Sequence, residues 1–245
     1  MADPKFRPAL LVVDMQEDFC PPNGSLAVPE GRSITPLINT LLAQPTLALK
    51  IATKDWHPPN HISFARNHPA GNGHTTKQPF TDTTTITNPS NPSEQYTTRL
   101  WPAHCIQSTP GAALIAELDT AQLTHTIEKG TDARVEMYSA FYAPLHDPPL
   151  RASDSGLAGL LRAHQITHVY VVGLAADYCV RSTAEDAVRE GFETFVVEEG
   201  TRAVDPGGWE GCRREMEANG MRVVGKDGVE VRRLFGGAKG VGEEV

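Results

Sequence analysis

The sequence predicts an α/β fold: a doubly wound, mainly parallel sheet with helices on both faces. Short apolar, β-branched runs alternate with segments of helical periodicity along the 245-residue chain, as in successive βαβ units. The first of these runs is apolar without a break, which is typical of a strand buried on both faces. Polar residues follow directly after several of the runs, and ligands bind beyond such strand ends in this class of sheet.

The composition is uniform and no internal repeat is present, so we predict a single domain over residues 1–245. Within it we expect a long loop at about 55–109 and a Gly-rich tail at about 226–245. The net charge is −8, and no Lys/Arg cluster interrupts it, which argues against nucleic acid and anionic membranes as partners. Whether the chain forms a homo-oligomer is left open.

The cysteine pattern and the absence of long apolar runs bear on location. The four cysteines are scattered without a CxxC pair, which favours a reducing compartment. The N-terminal residues lack the apolar region of a signal peptide, and no apolar run approaches the roughly 18 residues of a membrane span. We therefore expect an intracellular protein of the cytoplasm, with the nucleus as a second compartment.

The elements predicted in the first half follow from apolar runs and helical spacing. They are a strand over 8–13, an amphipathic helix over 33–42 with Ser33 as its N-cap, a strand over 46–53, a helix over 110–118 and a strand over 124–128. Between 55 and about 109 we predict no periodic element, and a loop of that length is usually functional or disordered. We expect its part 75–98, which is low in apolar residues, to be mobile, and the part near Trp101 to be ordered.

Predicted helices and strands also alternate in the second half of the chain. We predict a helix over 156–164, a strand over 169–172, a helix that begins near Asp177, a strand over 193–197, a helix over 209–218 and a short strand over 222–224. Asp177 is the expected N-cap of its helix. No fold is assigned from Lys226 onward.

Cys179 is a candidate nucleophile. It falls in the first turn of the helix after a buried strand, where free N–H groups and the helix dipole stabilise an anion and lower a thiol pKa. The alternative is an unreactive core thiol, which is common. Because Asp14, Asp55 and Lys129 also lie at or just past predicted strand ends, the four side chains are expected to meet, and this favours catalysis.

Two of these residues suit the activation of a thiol. Asp14 is a candidate proton acceptor, and a lysine such as Lys129 could hold the resulting anions in place. The alternatives are that Asp14 is a helix cap and that Lys129 is a solvated surface charge. The position of Lys129 at the end of a buried strand, before Gly130, favours a site role.

A metal site is the second candidate. Asp55 and His57 form an Asp-x-His pair, and His104 is the best third ligand. Two histidines and one carboxylate with open positions suit zinc, iron or manganese. His61 lies four residues after His57, and we interpret it as a loop histidine. The alternative is that it binds the metal or contacts the metal ligands.

Aromatic residues accompany these polar groups. Phe19 and Trp101 could sandwich a flat ring. Plain core packing is nearly as good an explanation for Phe19, and a weaker one for Trp101 because it lies in a loop.

Five motifs together carry a family resemblance. They are Val-Val-Asp14-Met-Gln-Glu-Asp-Phe, Asp55-Trp-His57, Trp101-Pro-Ala-His-Cys105, Lys129-Gly130 and Gly173-Leu-Ala-Ala-Asp-Tyr-Cys-Val180. Their order and spacing resemble the nicotinamidases of the isochorismatase-like cysteine hydrolase superfamily. The long loop before Trp101 resembles the fungal-type form. Ala176 stands where many members have Thr, a change that removes no catalytic group.

The resemblance implies hydrolysis of nicotinamide to nicotinate and ammonia through a cysteine thioester, in NAD salvage. It implies Asp14, Lys129 and Cys179 as the catalytic triad. A cis peptide at Leu174–Ala175 is implied too, which would aim the N–H groups of Ala175 and Cys179 at one oxygen as an oxyanion hole.

The resemblance also implies one divalent metal, usually zinc, on Asp55, His57 and His104. In the family the pyridine nitrogen of nicotinamide binds this metal, and aromatics matching Phe19 and Trp101 hold the ring. The alternatives are another amidohydrolase or a vinyl-ether hydrolase of the same superfamily, or a non-catalytic nicotinamide-binding sensor.

Overall fold

The central sheet has six strands, all paired in parallel. A computed structural model describes residues 6–69, 76–149 and 153–236 of the chain. The strands are β1 (Pro8–Val13), β2 (Leu49–Asp55), β5 (His125–Lys129), β6 (His168–Leu174), β7 (Glu193–Arg202) and β8 (Arg222–Val224), and a separate hairpin is formed by β3 (Thr83–Asn88) and β4 (Asn91–Arg99). Their order is β5-β2-β1-β6-β7-β8. The predicted parallel, doubly wound sheet is confirmed.

Helices cover both faces of this sheet, as predicted. They are α1 (Thr35–Leu42), α2 (Leu157–Ala163), α3 (Arg181–Arg189), α4 (Trp209–Ala218) and α5 (Val229–Arg232). Alternate residues of β1 enter two different cores, because successive side chains of a strand point to opposite faces. Leu10 and Val12 pack with α1 and α5, whereas Ala9 and Leu11 pack with α2, α3 and α4.

Strand order fixes where a site can form. From β1 the chain moves outward through β2 to β5, and it then returns to the other side of β1 for β6, β7 and β8. The order therefore reverses between β1 and β6, and the crevice beyond the strand ends at such a point is where ligands bind. Asp14 follows β1, and Cys179 lies five residues beyond the end of β6.

The predicted loop 55–109 contains regular structure, so the expectation of no periodic element was wrong. Strands β3 (Thr83–Asn88) and β4 (Asn91–Arg99) form an antiparallel hairpin with six paired positions. Threonine is β-branched and fits a pleated strand, but its hydroxyl makes a Thr-rich strand resemble a polar loop in sequence. Thr75, the start of the stretch that we expected to be mobile, lies outside the described residues.

Three other predicted elements differ from the structure. Residues 110–118 form only a 3-10 turn at Pro110–Ala112 rather than a helix. The first helix starts at Thr35, after a 3-10 turn, and Ser33 does not cap it. The tail is folded as far as Gly236, with Val231 and Leu234 buried beneath the sheet, while residues 237–245 lie outside the described part. No helix in the described ranges is long and apolar enough to span a membrane.

Candidate active site

Four ionisable side chains meet at the carboxyl edge of the sheet. Asp14 follows β1, Asp55 ends β2, Lys129 ends β5 and Cys179 follows β6. Asp55 and Lys129 are direct partners in the β2–β5 register, so they are neighbours by backbone pairing alone. The sequence expected this convergence from strand ends, and the structure places all four together and nearly fully buried.

Lys129 is the centre of the group. Its Nζ lies 3.0 Å from Asp14 Oδ2, 2.5 Å from Asp55 Oδ1 and 3.4 Å from Cys179 Sγ. Burial alone would lower the pKa of Lys129, but the two carboxylates raise it well above its usual range. The ammonium is therefore permanently charged and balances the negative charge around it.

Asp14 is held in an unusual backbone conformation. Its φ is 48°, in the left-handed region that residues other than glycine rarely adopt. Thr53 fixes it from the neighbouring strand, because the Thr53 hydroxyl accepts from Asp14 N at 3.1 Å and donates to Asp14 Oδ1 at 2.6 Å. Burial raises the pKa of Asp14, while Lys129 and Thr53 oppose the rise. A carboxylate with a raised pKa is a better proton acceptor.

Cys179 differs from the sequence expectation in one respect. Its thiol pKa is raised well above the usual value, first by burial and then by Asp14 and Asp55, although Lys129 opposes this. Burial therefore outweighs the expected lowering by a helix N-terminus. The residue lies in a five-residue π-type turn, Ala176–Val180, before α3. A buried neutral thiol needs a base at hand, and the acceptor atoms of Asp14, Asp55 and Cys179 lie within 4.8 Å of one another.

The turn before Cys179 has the predicted cis peptide, Leu174–Ala175. Asp177 does not cap the helix, so that expectation was wrong. Its two carboxylate oxygens instead accept hydrogen bonds from the backbone N–H groups of Val204 and Asp205, both at 2.9 Å. The side chain thus ties the nucleophile turn to the loop after β7. Ala175 and Cys179 both face the cleft described below.

Asp55, His57 and His104 form a buried group able to hold a metal ion. Asp55 Oδ2 lies 3.4 Å from His57 Nε2 and 3.8 Å from His104 Nε2. Ligands about 2.0 Å from a tetrahedral zinc are about 3.3 Å apart, so the spacing fits. Each Nδ1 is 2.8 Å from a backbone carbonyl, of Gly130 for His57 and of Pro102 for His104.

The hydrogen bonds fix the histidine tautomers. A carbonyl only accepts, so Nδ1 carries a proton in both rings, and Nε2 of the neutral ring keeps a lone pair that can bind a cation. His57 Nε2 is buried and has no hydrogen-bond partner among the described residues. Burial lowers the pKa of His104 to about 4, which keeps that ring neutral. The donor set therefore suits a divalent cation.

His61 lies in a loop, as expected, and its side chain is buried. Its ring stacks on His57 with a centroid distance of 4.0 Å. Its Nε2 lies 3.0 Å from the Val135 carbonyl and its Nδ1 lies 2.8 Å from Ser63 Oγ, so both ring nitrogens have protein partners. This supports a packing role next to the metal group over the role of a further ligand.

The predicted aromatic residues line a narrow cleft beside these groups, with a cavity volume of about 30 Å³. Trp101 lies edge-on to Tyr178 with ring centroids 4.9 Å apart, and its Nε1 donates to Tyr138 Oη at 2.9 Å. The lining residues are Phe19, Leu26, Val28, Asp55, Trp101, His104, Glu136, Tyr138, Ala175, Tyr178, Cys179 and Val204. The walls are mostly aromatic or apolar, and they include the ionisable side chains of Asp55, His104, Glu136 and Cys179.

Sequence reasoning missed several residues of the site. Gln16 holds Asp55 in place: its Nε2 donates to Asp55 O and its Oε1 accepts from Asp55 N, both at 2.8 Å. Tyr138, Tyr178 and Glu136 line the cleft. Tyr178 directly precedes the predicted nucleophile, which is a signal that could have been used, whereas the segment of Glu136 and Tyr138 has no periodicity that would place it.

A buried thiol beside a carboxylate and an ammonium, at the switch point of a parallel sheet, defines the class of α/β cysteine hydrolases. The model of the isochorismatase domain family matches residues 8–227. The chain belongs to the isochorismatase family.

The relatives reported below are named as nicotinamidases or as a pyrazinamidase. A nicotinamidase of Acinetobacter baylyi is 40% identical over 219 residues, covering 88% of this chain and 91% of the relative. The yeast nicotinamidase bound to the inhibitor nicotinaldehyde is 33% identical with a TM-score of 0.79, over 89% of this chain and 100% of that one. The pyrazinamidase of Pyrococcus horikoshii in complex with zinc is 33% identical with a TM-score of 0.66, over 89% and 99% of the two chains.

Proposed function

We propose that this protein is a nicotinamidase, which hydrolyses nicotinamide to nicotinate and ammonia in NAD salvage. The observation that carries the proposal is the placement of Cys179 Sγ 3.4 Å from Lys129 Nζ, in an aromatic cleft that is also lined by Asp55 and His104 of the group Asp55, His57 and His104. The nicotinamidase relatives support the same substrate.

The first half of the reaction forms a thioester. The Cys179 thiol gives its proton to the Asp14 carboxylate, and its sulfur attacks the carboxamide carbon while the Lys129 ammonium stabilises the anions. The carbonyl oxygen becomes an oxyanion, which the N–H groups of Ala175 and Cys179 stabilise. The C–N bond then breaks, and the leaving nitrogen takes the proton from Asp14 and departs as ammonia.

The second half regenerates the thiol. Asp14 accepts a proton from water, whose oxygen attacks the thioester carbon to form a C–O bond. The C–S bond breaks, the proton returns from Asp14 to the Cys179 sulfur, and nicotinic acid leaves and ionises to nicotinate. Because one carboxyl group carries the proton in both halves, its raised pKa suits both roles.

The metal that we propose is zinc, held by Asp55, His57 and His104. When bound there it would supply a Lewis acid that anchors the ring nitrogen of the substrate. Phe19 and Trp101 face the same cleft and would hold the ring between them.

We also propose that the protein works inside the cell, in the cytoplasm and the nucleus, without nucleic-acid or membrane partners. The net charge of −8 and four free cysteines support this. Its oligomeric state can be measured by light scattering of the purified chain.

The function is tested by ammonia release from nicotinamide, pyrazinamide and benzamide, the last of which lacks the ring nitrogen. We expect release from the first two, weak release from benzamide, and none from any amide with Cys179→Ala. That variant should still bind nicotinamide in a calorimetric titration. Absence of ammonia from the zinc-loaded wild type would refute the function, and equal rates on benzamide would favour a general amidohydrolase.

A further inference from the structure

The wall of the site beside Lys129 is built from irregular backbone. Within the described residues 130–149 the chain forms no continuous helix or strand. Yet this segment supplies the Met137 carbonyl, which accepts from Lys129 Nζ at 3.3 Å, and the side chains of Glu136 and Tyr138, which line the cleft. Buried backbone of this kind needs hydrogen-bond partners from elsewhere in the chain.

The hairpin β3–β4 supplies those partners. The Tyr96 hydroxyl, on β4, donates to the Glu136 carbonyl at 2.7 Å and accepts from the Glu136 N–H at 3.0 Å. One side-chain oxygen thus satisfies both backbone groups of a residue that is 3% exposed. In a regular sheet, the backbone of a neighbouring strand would form these two hydrogen bonds with Glu136.

A second hydrogen bond joins β4 to the same segment. Thr98 Oγ1, two residues further along β4 on the same side of the strand, lies 2.9 Å from Tyr138 Oη. Tyr138 Oη also accepts from Trp101 Nε1 at 2.9 Å, so its own O–H is available for Thr98. Two residues of β4, Tyr96 and Thr98, are therefore hydrogen-bonded to Glu136 and Tyr138, which are also two positions apart in the chain.

The two segments also share a small core of their own. It contains the buried side chains of Ile86, Val135, Met137, Ala143 and Leu145, with Ile62 and Tyr96 packed against it. This core is separate from the two that cover the main sheet. The hairpin is thus packed against the segment that forms the wall of the site beside Lys129.

We propose that Tyr96 is a positioning residue for the reaction, which acts through the Glu136–Met137 backbone to hold the Lys129 ammonium against Cys179. The role rests on the proposed function. Without the hydroxyl, the buried N–H and C=O of Glu136 lose their partner, and a group left unpaired in this way drives local rearrangement. Met137 O then moves away from Lys129 Nζ, which it now meets at 3.3 Å.

The test is Tyr96→Phe, with Tyr170→Phe as the matched control. Tyr170 is a buried tyrosine, whereas Tyr96 is half-buried, and its hydroxyl likewise donates to a backbone carbonyl, that of Glu230 at 2.8 Å, in the core on the face of α1 and α5. Both variants lose one hydroxyl that is hydrogen-bonded to the backbone, so thermal melting should register a loss in each. Only Tyr96→Phe should disturb Lys129.

Two readouts separate positioning from stability. We expect Tyr96→Phe to lower kcat on nicotinamide by about 10- to 100-fold with little change in KM, since small misplacements of catalytic groups have effects of this size. We also expect alkylation of Cys179 by iodoacetamide, followed by mass spectrometry at pH 7, to slow by about tenfold, because the ammonium no longer stabilises the thiolate. Tyr170→Phe should keep wild-type values in both.

The outcomes are distinct. Wild-type kcat and alkylation in Tyr96→Phe, or equal losses in Tyr170→Phe, would overturn the proposal. If the wild type releases no ammonia, the proposed function fails while the alkylation rates still decide the role of Tyr96. Should Tyr96→Phe not fold, Thr98→Val takes its place: we expect the same two losses at about threefold, and wild-type values there would overturn the proposal as well.

Discussion

At the scale of single residues, Thr53 affects the ionisation of the Asp14 carboxyl group. Its hydroxyl is bonded both to the Asp14 N–H and to its carboxylate, and the second bond favours the charged form. Burial raises the pKa of Asp14, and Thr53 is one of the groups that limit the rise. A proton acceptor must be ionised to act, so this hydrogen bond contributes to the lower pH limit of the reaction, together with burial, Lys129 and Asp55.

Thr53→Val keeps the shape and removes this bond. The pKa of Asp14 should rise further, so the carboxylate becomes protonated, and activity is lost, at a higher pH as the solution is acidified. We expect the acidic limb of the kcat/KM profile to move to higher pH and kcat below neutrality to fall about tenfold, since a hydrogen bond to a charged group contributes about 1.5 kcal/mol. The measurement is the pH dependence of ammonia release.

The control for this variant is Thr194→Val. Thr194 is equally buried and its hydroxyl donates to the Phe192 carbonyl at 3.0 Å, at the far end of β7. Its acidic limb should coincide with that of the wild type. An unmoved limb in Thr53→Val would exclude Asp14 as the group that titrates there.

At this scale the sequence predicted which residues meet but not their electrostatic state. Asp14, Asp55, Lys129 and Cys179 could be placed because each follows a recognisable strand. The raised pKa of Cys179 could not be foreseen, because it depends on complete burial and on two carboxylates from other strands. Asp177 was misassigned for a related reason, since its true partners lie some 27 residues along the chain.

At the scale of elements, the turn after β5 links the triad to the metal group. Gly130 has a φ of +66°, and a Cβ built on it would lie 2.4 Å from His57 Cε1. Its carbonyl also accepts from His57 Nδ1 at 2.8 Å. One turn therefore ends the strand that carries Lys129 and orients a metal-ligand histidine.

Gly130→Ala should displace His57 and weaken metal binding, by about 10- to 100-fold as for other lost supporting contacts of metal ligands. Gly156→Ala is the matched control: its φ is +76°, but a Cβ there meets nothing within 4 Å. Both variants carry the same backbone strain, so only the clash differs. Metal content after dialysis against graded zinc buffers measures the effect. An equal loss of bound zinc in both variants would show that backbone strain, and not the clash with His57, weakens metal binding.

The elements that could be predicted are those with strong periodicity. The apolar strand β1 and the helix α4 were placed at their observed bounds, Pro8–Val13 and Trp209–Ala218. The hairpin was missed because Thr83–Asn88 has a single apolar residue, Ile86, and its partners lie in an irregular segment. Residues 110–118 show the opposite error: Ala112, Ile115 and Leu118 are buried by the 3-10 turn and the loop after it, without a helix.

At the scale of the molecule, the metal group joins parts of the chain that are far apart in sequence. Asp55 ends β2, His57 follows it, and His104 comes from beyond the hairpin, yet all three are buried together. Without a bound cation, His57 Nε2 is a buried acceptor that no described residue satisfies. A cation that binds only the folded chain should therefore stabilise the whole molecule.

Chelation should lower the melting temperature measurably. A ligand at 100 times its Kd stabilises the folded state by about 2.7 kcal/mol. For a chain of this size that corresponds to roughly 5–10 °C between zinc-loaded and chelated protein. Differential scanning calorimetry of the two forms gives the value directly.

The site of this effect is assigned by two histidine variants. His57→Ala removes a buried ligand atom and should melt at the same temperature with and without zinc. His125→Ala changes an exposed histidine of β5 and should keep the full wild-type difference. If His57→Ala retained the shift, the stabilising cation would have to bind elsewhere, and the unsatisfied Nε2 would need another explanation than metal binding.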